Sequence, residues 1–88
     1  MKLLRTVKIK NALGLHARPA TVIAKLLQGT SASVCFTYRK ETVNARSIMS
    51  ILMLAATKNS LITIEVEGKD AEEIMSRLVH AFDNKFGE

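Results

Sequence analysis

The segment from Gly14 to Ala20 of this 88-residue chain contains side chains that can react with or bind a small anion. It holds His16 and Arg18, an imidazole and a guanidinium two positions apart, and Pro19 follows directly. A glycine before such a pair and a proline after it are typical of a tight loop that leads into a helix, because proline in the first turn gives up no intrahelical hydrogen bond. Helix N-termini attract anions, since their first amides are unpaired and the helix dipole is positive there. The sequence therefore predicts an anion site beside a histidine.

His16 has two interpretations on these grounds. It can be a structural residue at the start of a helix, or it can be a nucleophile, because a neutral imidazole attacks phosphorus. In the second case Arg18 and the backbone amides of Ala17 and Arg18 would hold the phosphoryl oxygens by charge-assisted hydrogen bonds. The other histidine, His80, has no partner at ligand spacing, so we expect no metal site and no cofactor. Residue chemistry alone leaves both interpretations of His16 open.

Four segments predict the strands of a sheet. Alternation of polar and apolar residues, or a short extended run after a turn, indicates strands at residues 3–10, 32–39, 41–44 and 61–67. The alternation implies that one face of the sheet is buried and the other is open to solvent.

Three helices are predicted between and after these strands. Gly29 closes the first helix, Ser47 is the N-cap of the second, and Asp70 is the N-cap of the third, with a capping box completed by Glu73. The apolar spacing indicates helices over 17–28, 48–54 and 71–82. The order β-α-β-β-α-β-α predicts an α+β fold in one domain spanning residues 1–88, with the helices on one face of a mainly antiparallel sheet.

The second predicted helix is apolar on nearly every face, over residues 48–54. A short helix on a small domain cannot bury all of its faces, so some of these side chains must be exposed. A cluster of exposed apolar side chains is typical of a docking surface. A chain of this size also has little room for an enclosed substrate pocket, so we expect His16 to act together with a partner protein.

Composition narrows the class of partner and the compartment. The net charge is +5, but the basic residues are scattered and no nucleic-acid-binding motif is present. The charge therefore either favours an acidic protein partner over DNA or RNA or has little functional meaning. The single cysteine, Cys35, excludes an internal disulfide and favours a reducing compartment. We see neither a signal-peptide pattern nor an apolar run long enough to insert into a membrane, and we expect a cytoplasmic protein.

Two segments resemble signatures of the HPr family, the histidine phosphocarriers of the bacterial phosphotransferase system. Gly-Leu-His-Ala-Arg-Pro-Ala at 14–20 resembles the active-site signature, and Thr-Val-Asn-Ala-Arg-Ser-Ile-Met at 42–49 resembles the second one. The predicted element order also matches the family over essentially the whole chain. The resemblance implies an open-faced β-sandwich, in which a four-stranded antiparallel sheet carries three helices on one face, and a monomer.

The resemblance also implies a role for each candidate site. His16 would accept a phosphoryl group on Nδ1 from phosphorylated enzyme I, itself charged by phosphoenolpyruvate, and pass it to an enzyme IIA domain. Arg18 would neutralise the phosphoryl oxygens. The protein would thus be a phosphoryl carrier rather than an enzyme in its own right. Both partners would dock on the exposed apolar patch of the second helix, formed by Ile48, Met49 and Leu52.

Ser47 corresponds to the serine that a dedicated HPr serine kinase/phosphorylase modifies in some bacteria. A phosphate there would suit a helix N-terminus, yet its charge would repel an acidic docking surface. Serine is also a good N-cap without any modification. Regulation at Ser47 therefore stays an open alternative.

Several residues depart from the common HPr pattern, and the segments 11–16, 52–54 and 64–67 look closer to NPr, the nitrogen-related branch of the family. Leu13 stands where a polar residue is often found, and Ala55 and Asn59 stand where many members carry glycine. Sugar transport and a regulatory phosphorelay are both open interpretations. A regulatory module that acts by docking alone, and a nucleic-acid-binding domain, are further hypotheses from other classes.

Overall fold

The computed structural model describes residues 1–88 and contains four strands and three α-helices in the predicted order. The elements are β1 (Lys2–Lys8), α1 (Ala17–Leu26), β2 (Ser33–Tyr38), β3 (Glu41–Asn44), α2 (Ile48–Met53), β4 (Leu61–Glu67) and α3 (Ala71–Asp83). A 3-10 turn over Lys85–Gly87, which the sequence does not predict, follows α3. The predicted bounds of β3 and β4 are confirmed, and the other elements differ from prediction by one or two residues at their ends. No helix is both long enough and apolar enough to cross a membrane.

The sheet has the strand order β1-β4-β2-β3, and all neighbouring strands are antiparallel. Alternate residues of each strand point into the core, as Ile62, Ile64 and Val66 of β4 do, all completely buried. The other sheet face is open and more polar, with Thr6, Thr63, Thr37 and Thr42 in register across the four strands. The α+β fold, an open-faced β-sandwich with three helices over a four-stranded antiparallel sheet, is therefore confirmed.

Helix α1 begins where the glycine and proline pattern predicts. The Ala20 amide donates to the His16 carbonyl over 3.1 Å, which makes His16 the N-cap. The helix ends at Leu26, so the predicted end at residue 28 is wrong. Tighter turns follow, in which the amide of Gln28 donates to the carbonyl of Lys25 over 3.2 Å.

Arg46, which the sequence analysis does not single out, stabilises the segment after α1. Its guanidinium donates to the carbonyl oxygens of Leu27, Thr30 and Ala32 over 3.1, 2.5 and 2.8 Å. Several of these carbonyls lie beyond the last helical turn, where no intrahelical donor is available. The residue directly before Ser47 therefore ties the start of α2 to the end of α1.

Of the side-chain caps predicted for α2 and α3, only the cap of α2 is present in the structure. The Ser47 hydroxyl accepts from the Ser50 amide over 3.1 Å, so the predicted N-cap of α2 is confirmed. Asp70 does precede α3, but the capping box with Glu73 is wrong. The Asp70 carboxylate instead accepts from the Thr30 hydroxyl over 2.6 Å, a contact with the loop after α1.

Candidate functional site

The loop between β1 and α1 presents His16 on a rigid support. The Gly14 amide donates to the Asn11 carbonyl over 3.0 Å and closes a tight turn. The Leu15 amide donates to the Ala56 carbonyl over 3.1 Å, and the Leu15 side chain is buried in the core. These contacts hold the residues before His16 from both sides, so the backbone that carries the imidazole is well defined.

The imidazole of His16 contacts a carboxylate from the other end of the chain. Its Nε2 lies 3.0 Å from Oε2 and 3.2 Å from Oε1 of Glu88, across a separation of 72 residues. A carboxylate only accepts hydrogen bonds, so Nε2 carries the proton in this contact and the lone pair of a neutral ring is on Nδ1. Nδ1 makes no hydrogen bond within the protein.

Arg18 shares the same carboxylate. Its Nη1 lies 3.7 Å from Oε2 of Glu88, yet 73% of its side chain is exposed, so the ion pair is weak and the guanidinium is free to move to another anion. The amides of Ala17 and Arg18 are in the first turn of α1 and have no intrahelical acceptor. The structure thus brings His16, Arg18 and the two predicted amides together.

Asn11 holds Glu88 in place and was missed by the sequence analysis. Its side chain is buried, and its Nδ2 donates to Oε1 of Glu88 over 2.5 Å and to the carbonyl of Lys85 over 2.8 Å. Its Oδ1 is buried without a hydrogen-bond partner. An asparagine in a loop has no sequence signal that distinguishes a buried anchor from an ordinary turn residue. Asn11 is therefore a positioning residue that acts on His16 through Glu88.

These contacts change the acidity of Glu88. Partial desolvation raises the pKa of the carboxyl, but the hydrogen bonds from Asn11 and His16 and the charges of His16 and Arg18 outweigh it. The pKa is consequently held below its ordinary value of 4.5.

The lowered pKa of Glu88 predicts a pH-dependent contribution to stability. A carboxyl whose folded-state pKa is depressed stabilises the fold above its unfolded-state pKa and loses that effect as the pH falls through the folded-state value. Glu88→Gln should therefore be less stable than the unmodified protein at neutral pH, and the difference should shrink below pH 4.5. Urea unfolding from pH 7 to about pH 3 measures this.

Glu67→Gln is the matched control, because Glu67 is exposed on the open sheet face and makes no ion pair. A difference that stays constant with pH for Glu88→Gln, or equals that of the control, would contradict the contact between Glu88 and His16.

The apolar patch predicted on α2 is partly exposed. Met49 is 67% exposed and Ile48 is 39% exposed, whereas Leu52 is half-buried against the core. Met53, which the sequence analysis does not include, is 73% exposed and extends the apolar surface of the same helix. Helices α1 and α2 pack against each other, so this surface and the anion site belong to neighbouring helices. Ser47 lies at the first turn of α2, half-buried by its role as N-cap.

A surface depression of about 310 Å³ lies beside the imidazole. It is open and shallow, which suits a contact with another protein better than enclosure of a small molecule. Its lining residues are Asn11, Ala12, Leu13, His16, Lys85 and Glu88.

A family model and individual known sequences that match this chain all belong to the same protein family. A family model described as the PTS HPr component phosphorylation site matches residues 3–84. The phosphocarrier protein HPr of Chlamydia muridarum is 48% identical over 80 residues, which covers 91% of this chain and 77% of that protein. The phosphocarrier protein HPr of Cupriavidus necator is 38% identical over 84 residues, which covers 96% of this chain and 94% of that protein.

Comparison with solved structures agrees with the sequence matches. An HPr structure from Thermoanaerobacter tengcongensis superposes with a TM-score of 0.92 at 36% identity and covers 98% of this chain and 97% of that chain. The phosphocarrier protein HPr of Bacillus anthracis superposes with a TM-score of 0.86 at 36% identity and covers 92% and 96% of the two chains. Sequence and fold are thus similar to the same group of proteins over most of this chain.

Proposed function

The chain belongs to the HPr family, the phosphocarrier proteins of the phosphotransferase system, and on that premise we propose that it carries a phosphoryl group on Nδ1 of His16. The donor is phosphorylated enzyme I, and the acceptor is an enzyme IIA domain. The observation that carries this proposal is the carboxylate of Glu88 on Nε2 of His16, 3.0 Å away, because it leaves the Nδ1 lone pair available for attack.

The transfer is a substitution at phosphorus. The Nδ1 lone pair attacks the phosphorus of the donor, an N–P bond forms, and the bond between phosphorus and the donor atom breaks with its electron pair left on the donor. Nε2 keeps its proton, so the phosphorylated ring is positively charged, and the Glu88 carboxylate stabilises that charge. Transfer to the acceptor follows the same course, with His16 as the leaving group.

Arg18 and the start of α1 stabilise the charge on the phosphoryl oxygens. The guanidinium is a fork of donors that suits phosphate geometry, and its exposed position lets it exchange the weak contact with Glu88 for a phosphoryl oxygen. The amides of Ala17 and Arg18 point out of the helix N-terminus, where anions are favoured. Since a carrier must also release the group, modest stabilisation by exposed donors suits this role better than a deep, tight site.

We place the docking surface for both partners on the exposed apolar residues of α2. Apolar contacts at the centre of an interface provide affinity, while rim charges mainly affect association rates. Ile48, Met49 and Leu52 form this surface, and Met53 extends it.

Met49→Glu should weaken docking without changing the chemistry at His16. Burying a carboxylate in an apolar contact removes the hydrophobic gain and adds a desolvation cost, so we expect KM for the carrier to rise by about thirtyfold. The measurement is the initial rate of phosphorylation by enzyme I and phosphoenolpyruvate against carrier concentration.

Leu61→Glu is the matched control, because Leu61 is also exposed but lies on the open sheet face. Equal KM values for Met49→Glu and the unmodified protein would place docking elsewhere. A loss of kcat with unchanged KM would indicate a role in chemistry instead.

A further inference from the structure

Strand β1 forms one edge of the sheet, and no other strand pairs with its outer side. Residues of an antiparallel strand bond alternately to one side and to the other. The Gly68 amide donates to the Met1 carbonyl over 2.9 Å, and the Ile9 amide donates to the Ser60 carbonyl over 2.9 Å. Since the register between β1 and β4 is unbroken, the odd-numbered residues bond to β4. The backbone N–H and C=O groups that point away from the sheet are those of Lys2, Leu4, Thr6 and Lys8.

Strand β1 lacks most of the features that protect the edge of a sheet. Natural edges are blocked by proline, by bulges, by short strands, by a covering element or by charged side chains. β1 contains no proline, has no bulge and is seven residues long, and Leu4 near its middle is 59% exposed. Only charge protects it, through Lys2 and Lys8 near its two ends. The edge is therefore open to an added strand, and the lysines restrict which strand it accepts.

A groove of about 370 Å³ lies beside this edge, between β1 and α3. Side chains of an added strand alternate between the two faces of the sheet, so those on the helix side would enter the groove. None of the groove residues lines the depression beside His16. A free strand edge next to an apolar groove is the arrangement by which extended peptides add to a sheet, with affinity from the backbone and specificity from alternate side chains. The groove is lined by Leu3, Arg5, Glu72, Met75, Ser76 and Val79.

The charges of this edge favour an acidic segment over a second copy of this chain. The antiparallel register that pairs two β1 strands over their full length puts Lys2 of each copy opposite Lys8 of the other, and like charges directly opposite destabilise a sheet. Lys8 makes no ion pair, and Lys2 makes only an exposed one of 3.7 Å with Glu65. In the groove the charges of Arg5 and Glu72 offset each other. An extended segment with a carboxylate at each end therefore fits best.

We propose that β1 is a docking edge for an extended, acidic segment of another protein, which adds to the sheet as a fifth strand. Acidic side chains of that segment contact Lys2 and Lys8 on the open face, and its apolar side chains enter the groove between β1 and α3. This edge is separate from the depression at His16 and from the apolar surface of α2, so docking here does not depend on the phosphocarrier function.

The capped peptide Glu-Val-Thr-Ile-Thr-Val-Glu is a suitable probe. It reads the same in both directions, so it fits a parallel or an antiparallel addition, and its apolar side chains share one face. NMR titration of the ¹⁵N-labelled full chain measures its Kd and the residues affected. We expect the largest shift changes in β1 and α3, a Kd that rises with salt, and binding about tenfold weaker for the same peptide with lysine at both ends.

Thr6→Pro tests the backbone contact, because it removes an N–H that the ladder to β4 does not use. We expect the Kd of the glutamate-ended peptide to rise about tenfold. Thr42→Pro is the matched control on the other edge strand. Its amide also points outward, since the ladder from β3 continues with the bond from the Ala45 amide to the Val34 carbonyl. Each threonine hydroxyl bonds to one neighbouring threonine, over 3.4 Å for Thr6 and 2.8 Å for Thr42.

Lys8→Glu tests the charge. It should weaken binding of the glutamate-ended peptide about tenfold and strengthen binding of the lysine-ended one. Lys40→Glu is the matched control, because Lys40 is an exposed lysine in the turn between β2 and β3, and it should change neither. Thermal unfolding shows whether each variant folds, and Lys8→Glu remains decisive if Thr6→Pro does not.

The proposal is overturned if the glutamate-ended peptide does not bind at about 1 mM, or if its shift changes centre on α2 or His16. Equal weakening by Thr6→Pro and Thr42→Pro, or a Kd that Lys8→Glu leaves unchanged, also overturns it. Dimerisation of the unmodified protein that Thr6→Pro abolishes, without peptide binding, would assign the edge to a second copy instead. None of these measurements involves phosphoryl transfer, so their outcome is independent of the test of the carrier function.

Discussion

His16→Ala is expected to accept no phosphoryl group from enzyme I and phosphoenolpyruvate, whereas the unmodified protein should acquire an acid-labile, base-stable phosphate. The substitution removes the only nitrogen that the structure offers at the start of α1 as a neutral nucleophile. It removes the contact with Glu88, so we expect a loss of stability similar to that of Glu88→Gln, but the fold should form because the His16 side chain makes no capping hydrogen bond to α1. Labelled phosphate transfer and thermal unfolding, measured on the same preparations, separate the two effects.

Ser47→Ala is the control for this experiment. Its hydroxyl caps α2, so this variant should lose about 1 kcal/mol of stability and still accept phosphate on histidine. If His16→Ala acquired as much phosphate as the unmodified protein, the acceptor would be another residue and not His16.

Gly14→Ala is expected to be the most destabilising of the substitutions considered for the loop. Gly14 has φ +68°, and a Cβ there would lie 2.2 Å from the Ala56 carbonyl oxygen and 3.0 Å from the Thr57 Cα. Both are backbone atoms, so one of the two loops must move. The left-handed conformation and the overlap together should lower the free energy of unfolding by about 3 kcal/mol. Because His16 is two residues away, the rate of phosphoryl acceptance should fall as well.

Gly29→Ala isolates the conformational part of this effect. Gly29 also has a positive φ, +84°, but a Cβ there would meet no atom within 4 Å. We expect it to lose only about 1 kcal/mol in urea unfolding, with normal phosphoryl acceptance. Equal losses for the two variants would show that the contact between Gly14 and Ala56 does not restrict the loop.

Local sequence patterns were sufficient to predict the elements that position the site. The alternation in β4 and the glycine and proline around His16 are short-range signals, and the structure places both features as predicted. The Ser47 cap is equally local. The prediction from local sequence was wrong where a tertiary contact uses the same side chain. At Asp70 the carboxylate accepts from the Thr30 hydroxyl and does not cap α3.

The contact between Glu88 and His16 could not be predicted, because Glu88 lies at the far end of the chain. Lys85 and Phe86 adopt φ values of 59° and 55°, which lysine and phenylalanine rarely do. Phe86 is buried with its ring 4.8 Å from that of Phe82, and this packing compensates for the unfavourable backbone conformation. The turn so formed brings Glu88 to His16, a consequence of tertiary packing that no periodicity in the sequence signals.

The ring nitrogen of His16 that bonds to phosphorus can be identified directly by NMR. The ¹⁵N-labelled protein, phosphorylated by enzyme I and phosphoenolpyruvate, gives nitrogen–phosphorus couplings by NMR that distinguish the two ring nitrogens. We expect coupling to Nδ1, with a proton retained on Nε2 where Glu88 accepts it. Coupling to Nε2, or an acid-stable phosphate on Ser47 in place of the histidine adduct, would contradict it.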